Sequence, residues 1–188
     1  VLAELNRHAY RASTELAKEK GPFPLFDRDA FLKSKFVDQA LDKLTKEEIY
    51  AHGMRNSHLT SIAPTGTISL SANNISSGIE PVFAYNGIRT VQTFDGPFTA
   101  DVTDYNYREF GIKGKKASDC TVDDHIRTLL TAQAFVDSSV SKTCNVNPNM
   151  PWEDFKSVYV KAFEGGAKGC TTFNPGGKRM GILVDKEQ

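Results

Sequence analysis

The sequence lacks the cysteine pattern of a disulfide framework or a zinc site. Its three cysteines, Cys120, Cys144 and Cys170, are an odd number without CxxC spacing, so reduced thiols are predicted. Long apolar runs are also missing, which excludes a spanning helix. Charges interrupt the first turns of the chain, which excludes a secretory signal. We therefore expect a cytoplasmic protein with no membrane partner.

An excess of either charge is absent as well, since Lys plus Arg and Asp plus Glu are both 23. A zero net charge gives no electrostatic reason to bind a polyanion, so nucleic acid is not an expected partner.

The histidines show no metal-ligand spacing and no catalytic order with a cysteine, which predicts surface or capping roles. No catalytic residue and no metal site are therefore predicted; the four histidines are His8, His52, His58 and His125.

The sequence is long enough to bury one sizeable hydrophobic core, since it has 188 residues, of which 39% are hydrophobic. Apolar residues at steps of three and four predict a first helix that ends at Gly21. A second helix is predicted over 27–44. A third is predicted from Thr45, whose hydroxyl would form a capping box with Glu48. Residues 1–57 are thus predicted to be a helical lead-in.

The middle of the chain is predicted to be extended on both sides of one tight turn. A strand over His58–Ala63 is expected to stop at residues 64–67, after which a short helix opens at 68–72. Residues 78–96 are predicted to form an extended pair that reverses at Asn86-Gly87, a favoured hairpin turn.

The last third alternates helix and strand, after a segment over 97–121 without clear periodicity. Its pattern predicts a helix at 122–136, a strand at 140–146, a helix at 151–163 and a strand at 169–173. Parallel strands need crossovers of about a dozen residues or more, which these helices supply. The predicted fold class is therefore α/β, a parallel sheet or barrel with helices outside it.

The segment after the first predicted strand carries the strongest local signal for a ligand. Glycine lets the backbone turn closely around a ligand, hydroxyls donate hydrogen bonds, and amides at a helix start point unpaired at the same place. Such a segment suits a phosphate, although it lacks the lysine of a P-loop. An ordinary proline-glycine turn capped by Thr67 explains it without any function. The candidate phosphate-binding residues are Pro64, Thr65, Gly66, Thr67, Ile68 and Ser69.

Two further polar runs, 73–81 and 141–145, stand close to predicted strand ends, where the ligand sites of αβ barrels form. A plain surface loop is an equal explanation for the first run. For the second, alternation of exposed and buried sides accounts for Lys142 and Thr143 without any function.

Five motifs stand in order along the chain. They are GMRNS at Gly53–Ser57, IAPTGTIS at Ile62–Ser69, SGIEPVF at Ser77–Phe83, DSSVSKTCN at Asp137–Asn145 and GGAKGCTTF at Gly165–Phe173. Together they resemble the large catalytic subunit of ribonucleotide reductases. Because the motifs are several and ordered, this resemblance is far more specific than the phosphate segment alone.

The resemblance implies the C-terminal portion of a ten-stranded α/β barrel, with helices outside parallel strands. Residues 1–188 would form a single partial domain, with the helical lead-in at 1–57, the phosphate loop and hairpin at 58–96, and a mixed segment followed by αβαβ at 97–188. It also implies that Thr65–Ser69 clamp the substrate's phosphates. The family's radical cysteine stands in an Asn-x-Cys-x-Glu pattern that this sequence lacks, so no cysteine here receives a catalytic role.

The final predicted strand indicates the subtype. Family members with a separate diiron subunit carry two adjacent tyrosines after a Gly-x-Lys stretch like Gly166-Ala167-Lys168, whereas Thr171 and Thr172 stand here. Without that tyrosine relay, the resemblance implies adenosylcobalamin as the source of the radical. The sequence departs from the family pattern at Phe173-Asn174-Pro175, where a tyrosine and an arginine are expected.

The implied function is part of a ribonucleoside-diphosphate reductase, which reduces the 2′-hydroxyl of ribonucleotides by a thiyl-radical mechanism. The implied partners are a ribonucleoside diphosphate, the remaining N-terminal part of the reductase and a thioredoxin-type reductant. The chain is not expected to be active alone. Two alternatives from other classes remain open: an independent nucleotide-binding module without catalysis, and a structural remnant that only completes a barrel with a partner.

Overall fold

The computed structural model describes residues 1–174, Gly176 and Leu183–Asp185. The chain divides into two compact units. The first contains Val1–Ile62 and Leu130–Val140, and the second contains Ala63–Leu129 and the described residues from Ser141 onward.

Four helices build most of the first unit. Their boundaries follow local capping signals: the first helix ends at Gly21, which has a positive φ of 76°, and the second begins after Asp27, whose carboxylate accepts the Ala30 N–H. The predicted end of the first helix is therefore confirmed. The helices are α1 (Leu2–Lys20), α2 (Arg28–Leu32), α3 (Lys35–Ala40) and α4 (Lys43–His52).

The single helix predicted over 27–44 is wrong, because α2 and α3 are separate helices divided at Lys33 and Ser34. The predicted capping role of Thr45 is also wrong. Asp42 caps α4: its carboxylate accepts both the N–H and the hydroxyl of Thr45, each at 2.9 Å. An aspartate that precedes the helix satisfies its unpaired donors, so Thr45 lies inside α4 and is fully buried.

The core of the first unit is a cluster in which α1, α3 and α4 meet the chain after α4. Ile49 and Met54 have no exposed surface. Partly buried phenylalanines pack around this cluster, among them Phe23 and Phe26, whose rings meet edge to face. Burial of apolar surface is the main favourable contribution to folding here. The buried members are Tyr10, Val37, Leu41, Ile49 and Met54.

Asp137 ties the chain after α4 to α1. Its buried carboxylate accepts the Tyr10 hydroxyl at 2.9 Å and the N–H groups of Leu59 and Thr60 at 2.7 and 2.9 Å. Burial raises the pKa of Asp137, but the hydrogen bonds from Thr60, Leu59 and Tyr10 together hold this pKa below its usual value. The carboxylate is therefore ionised and satisfied at neutral pH.

The strand predicted over His58–Ala63 is wrong. Within it, Ile62 alone makes a β-bridge, in parallel with Val140. The physical reason is that the Asp137 carboxylate takes the Leu59 and Thr60 N–H groups, which a β-ladder would need.

The described part of the second unit contains a three-stranded sheet, a separate strand pair, three α-helices and residues 122–129 of a fourth. Thr121 and Asp124 exchange hydrogen bonds at the start of the long helix over 122–133, which forms a reciprocal cap. The elements are α5 (Gly66–Ser71), β1 (Asn86–Thr93), β2 (Gly96–Thr103), α6 (Tyr105–Phe110), a short 3-10 helix (Ala117–Asp119), α7 (Val122–Gln133), β3 (Thr143–Asn145), α8 (Trp152–Glu164), β4 (Thr171–Phe173) and β5 (Leu183–Asp185).

The three-stranded sheet is antiparallel, in the order β2-β1-β5. It corrects the predicted hairpin, because Asn86-Gly87 lies inside β1 and the chain reverses between Thr93 and Gly96. Gly87 is held between two neighbours, Val102 of β2 and Asp185 of β5. Gly96 adopts a positive φ of 113° at the actual turn, which only glycine accepts readily.

The predicted parallel arrangement is confirmed for β3 and β4, which pair with Thr143 opposite Thr171. The helix α8 connects them, as a parallel crossover requires. Both strands are shorter than predicted. An antiparallel sheet of β1, β2 and β5 accompanies this parallel pair. The described residues thus form a mixed α/β structure in which no barrel is closed.

No helix in the described part of the chain is long and apolar enough to cross a membrane.

Replacing Asp137 by Asn should destabilise the protein by about 1–3 kcal/mol at pH 7, because buried donors lose a charged acceptor. The folded-state pKa is lowered, so this carboxylate stabilises the fold above its unfolded pKa of about 3.9, and the contribution is lost as the pH falls through the folded value. The difference between the natural protein and the variant, measured by urea unfolding, should therefore shrink below about pH 4. Asp29→Asn, at an exposed site in α2, is the control. A pH-independent difference would contradict this account.

Candidate functional site

The second unit contains a cleft of about 610 Å³. Its walls come from the segment around 74–84, from β3 and from β4. A concave site of this volume is in the range that small-molecule ligands occupy. Both polar runs singled out in the sequence contribute side chains to it: Asn74, Ser76, Ser77 and Glu80 from the first, and Thr143 and Asn145 from the second.

The predicted phosphate loop lies against this segment. Thr65 has a left-handed backbone conformation, with φ 47° and ψ 26°, and α5 begins at the next residue. The Thr65 hydroxyl oxygen accepts the Gly78 N–H at 2.7 Å. Gly78 has a positive φ of 56°, and a Cβ at this position would stand 2.9 Å from the Ala63 carbonyl oxygen. The close approach of the two segments therefore requires glycine at 78.

The six predicted phosphate-binding residues differ in what their side chains do. Ser69 is buried, lines the cleft and donates its hydroxyl to the Gly66 carbonyl at 2.7 Å. The Thr65 hydroxyl is engaged by Gly78, whereas Pro64, Gly66, Thr67 and Ile68 are exposed. The first N–H groups of α5 have no acceptor within the helix. The geometry thus offers backbone amides and the exposed Thr67 hydroxyl to a ligand.

A buried ion pair joins the cleft wall to β3. The Lys142 side chain is 1% exposed, and its Nζ lies 2.6 Å from Glu80 Oε2. The other carboxylate oxygen, Oε1, accepts the Thr143 N–H at 2.5 Å, and Lys142 Nζ also donates to the Thr143 carbonyl at 2.6 Å. The Glu80 carboxylate is therefore bound to the Lys142 side chain and to the Thr143 main chain, at the start of β3.

His125 completes this group from α7. Its Nδ1 lies 2.8 Å from Lys142 Nζ. Burial, and then the positive charge of Lys142, lower the pKa of His125, so the ring is neutral and Nδ1 accepts from the ammonium. The predicted surface or capping role is wrong for His125, which is 2% exposed. His8, His52 and His58 are exposed as predicted.

Sequence reasoning missed the roles of Lys142 and Glu80. The alternation expected over 141–145 is present, but Lys142 is on the buried side with Cys144, while Thr143 and Asn145 face the cleft. Lys142 alternates with the buried residues Val140 and Cys144, but this local pattern does not identify an acidic partner. No group of three or more His, Cys, Asp or Glu residues in the described part of the chain could hold a metal ion.

Comparison with known families identifies the class of protein. A family model described as the ribonucleotide reductase barrel domain matches residues 1–173. The chain therefore belongs to the ribonucleotide reductase barrel-domain family.

Individual relatives agree with this assignment. The chain is 27% identical, over 97% of its length, to a vitamin B12-dependent ribonucleoside-diphosphate reductase of Mycobacterium tuberculosis. It is 29% identical over 98% of its length to a reductase of the same name from Thermoplasma acidophilum. It is also 25% identical over 96% of its length to a ribonucleoside-diphosphate reductase subunit alpha of Mycoplasma pneumoniae. The matches cover 28%, 25% and 28% of these relatives, so the chain spans about a quarter of their length.

The Lys142–Glu80 ion pair predicts that its two single variants lose different amounts of unfolding free energy. Glu80→Gln leaves the Lys142 ammonium buried without a charged partner and should cost about 3–5 kcal/mol of unfolding free energy. Lys142→Met should cost less, because the carboxylate that it leaves is 24% exposed and can be hydrated. Urea unfolding of the two variants and of the double variant measures this.

The double variant should cost less than the sum of the single ones, since the two residues act on each other. Glu109→Gln, which breaks the exposed pair with Arg108, is the control and should change stability by less than about 1 kcal/mol. Equal losses of unfolding free energy in Glu80→Gln and Lys142→Met would contradict the claim that a buried lysine without its partner costs more than a partly exposed glutamate without its partner.

Proposed function

We propose that this chain is the C-terminal part of the catalytic barrel of an adenosylcobalamin-dependent ribonucleoside-diphosphate reductase. In this proposal residues 1–188 are a single partial domain that supplies strands to a ten-stranded α/β barrel. The radical-bearing cysteine lies in the remaining N-terminal part of the reductase. The chain therefore has no activity alone, and its contribution is to position the substrate.

The observation that carries this proposal is the position of the phosphate loop beside the cleft. Ser69 of the loop and Ser77, next to the Gly78 contact with Thr65, both line the cleft. A ribonucleoside diphosphate would place its phosphates at the start of α5 and its nucleoside in the cleft. Binding energy at the phosphate end fixes the ribose for the reaction, which is a positioning role.

The six loop residues have distinct proposed roles. The amides that follow Thr65 and the Thr67 hydroxyl would donate to phosphate oxygens. The Thr65 and Ser69 hydroxyls, held by Gly78 and Gly66, would keep the loop in shape. Pro64 precedes these donors and sets the backbone turn, and Ile68 contributes its backbone amide to them.

The residues of β4 fit adenosylcobalamin as the source of the radical. Thr171 and Thr172 line the cleft in β4, and the Thr172 hydroxyl lies 2.9 Å from the Tyr159 hydroxyl. A threonine side chain cannot carry a radical from a second subunit, whereas the coenzyme generates the radical within the enzyme. Two of the three relatives described above also have vitamin B12 in their names. We assign no residue of this chain to the cofactor itself.

The remaining parts of the proposal follow from the reductase assignment. A thioredoxin-type reductant would restore the intact enzyme after each turnover, and the protein would act in the cytoplasm, where ribonucleotides and such reductants are found. Neither nucleic acid nor a membrane is a proposed partner, in line with the zero net charge of the sequence.

Thr67→Ala should weaken the binding of a ribonucleoside diphosphate about 10- to 150-fold, because a hydrogen bond to a charged phosphate contributes about 1.5–3 kcal/mol. Calorimetric titration of the purified protein measures this. Ser71→Ala is the matched control, since Ser71 is an exposed hydroxyl at the other end of the same short helix, and it should leave the affinity unchanged.

Titration with the matching nucleoside, which lacks phosphates, should show at least ten-fold weaker binding than the diphosphate. Equal affinity for the nucleoside and the diphosphate, or equal losses in Thr67→Ala and Ser71→Ala, would contradict the phosphate role of the loop. A nucleotide-binding module without catalysis would be favoured by one combination of results. The chain would bind the diphosphate and lose affinity in Thr67→Ala, but the chain together with the remaining part of the protein would not reduce ribonucleotides.

A further inference from the structure

Two cysteines lie side by side in the second unit. Cys144 is in β3 and Cys170 directly precedes β4, and their sulfur atoms are 3.7 Å apart. Thr143 pairs with Thr171 in the parallel register, so Cys170 stands opposite Lys142 and on the same face as Cys144. The neighbours Thr143, Asn145, Thr171 and Thr172 line the cleft, whereas neither cysteine does. The two thiols thus lie beside the strand residues of the cleft wall but outside the cleft.

The two sulfur atoms differ in access to solvent. Cys144 is fully buried, whereas Cys170 is partly exposed. A reagent in solution can therefore reach Cys170, while Cys144 is within reach of Cys170 alone. This arrangement of an accessible thiol beside a buried one is what a two-step exchange with an external disulfide needs.

The thiols also differ in acidity. The hydrogen bond from Cys144, and to a smaller extent the charge of Lys142, outweigh burial and lower the pKa of Cys170 to about 7. The same hydrogen bond, together with burial, raises the pKa of Cys144. Cys170 is therefore the group that is a thiolate at neutral pH, and the thiolate is the nucleophilic form.

We propose that Cys144 and Cys170 form a reversible dithiol–disulfide pair, with Cys170 as the attacking thiolate and Cys144 as the resolving thiol. Neither the family resemblance nor the proposed function assigns a role to either cysteine. The oxidant is a small-molecule disulfide of the glutathione type. The sulfur atoms must approach from 3.7 Å to the roughly 2.05 Å of a disulfide bond. Because Cys144 pairs directly with Thr172 rather than with Cys170, the proposal requires a shift of the backbone at Cys170, which directly precedes β4.

The exchange balances in two steps. The Cys170 thiolate attacks one sulfur of the external disulfide, which forms a mixed disulfide and releases one thiolate. Cys144 then loses its proton and attacks Cys170 Sγ, which forms the Cys144–Cys170 bond and releases the second thiolate. The two protein thiols lose two electrons and two protons, and the external disulfide becomes two thiols.

The test is peptide mapping without reduction, since trypsin places the three cysteines of this chain in different peptides: 117–127, 143–156 and 169–178. The natural protein is incubated with oxidised glutathione, its free thiols are alkylated, and the digest is analysed by mass spectrometry. We expect peptide 143–156 linked to peptide 169–178, and loss of the link after dithiothreitol. Cys120→Ser is the control and should form the same link.

Two variants separate the roles of the thiols. Cys144→Ser should trap glutathione on peptide 169–178, because the resolving thiol is missing, whereas Cys170→Ser should leave Cys144 unmodified. Alkylation of Cys170 in the natural protein, followed against pH, should reach half its maximal rate near pH 7. Circular dichroism establishes that each variant is folded.

Three results would overturn the proposal. They are recovery of peptides 143–156 and 169–178 as separate alkylated species, a disulfide that involves Cys120 in place of either cysteine, and a Cys144–Cys170 link that forms only after unfolding in guanidinium chloride.

Discussion

The ion pair between Lys142 and Glu80 is the interaction on which the cleft depends. A buried ammonium is unfavourable unless a charged partner and further acceptors surround it. Glu80, His125 and the Thr143 carbonyl supply these at 2.6, 2.8 and 2.6 Å. Because Glu80 also accepts the Thr143 N–H, the segment that carries Glu80 cannot leave β3 without exposing a charge that has no partner. One wall of the cleft is thereby fixed to another.

The position of the phosphate loop follows from the same constraint. The Glu80 N–H donates to the Ser77 carbonyl at 3.0 Å, which folds residues 77–80 into a turn. Within this turn the Gly78 N–H reaches the Thr65 hydroxyl. A short chain of contacts therefore connects β3, through Glu80 and Gly78, to the start of α5. Preorganised donors of this kind bind a ligand without having to be ordered first.

An element of the fold or the site could be predicted from the sequence where the interactions that determine it are made between residues close in the chain. The helix that ends at Gly21 and the α8 crossover follow from periodicity and capping residues, and both were predicted. The strand expected at 58–63 fails because Asp137, far along the chain, takes the N–H groups of Leu59 and Thr60. The helix start after Thr65 is local and follows from the turn before it, whereas the phosphate role of residues 64–69 stays a prediction. The burial of Lys142 depends on Glu80, 62 residues away, and no local pattern reveals it.

In the proposed function, the start of α5 holds the phosphates of a nucleotide whose nucleoside lies in the cleft. The most direct measurement is a crystal structure of the protein with a ribonucleoside diphosphate. Phosphate oxygens should lie within about 3 Å of the Gly66, Thr67 and Ile68 amide nitrogens and of the Thr67 hydroxyl, with the ribose between Ser77 and β3. A nucleotide bound elsewhere, or one in the cleft with its phosphates away from residues 65–69, would contradict it.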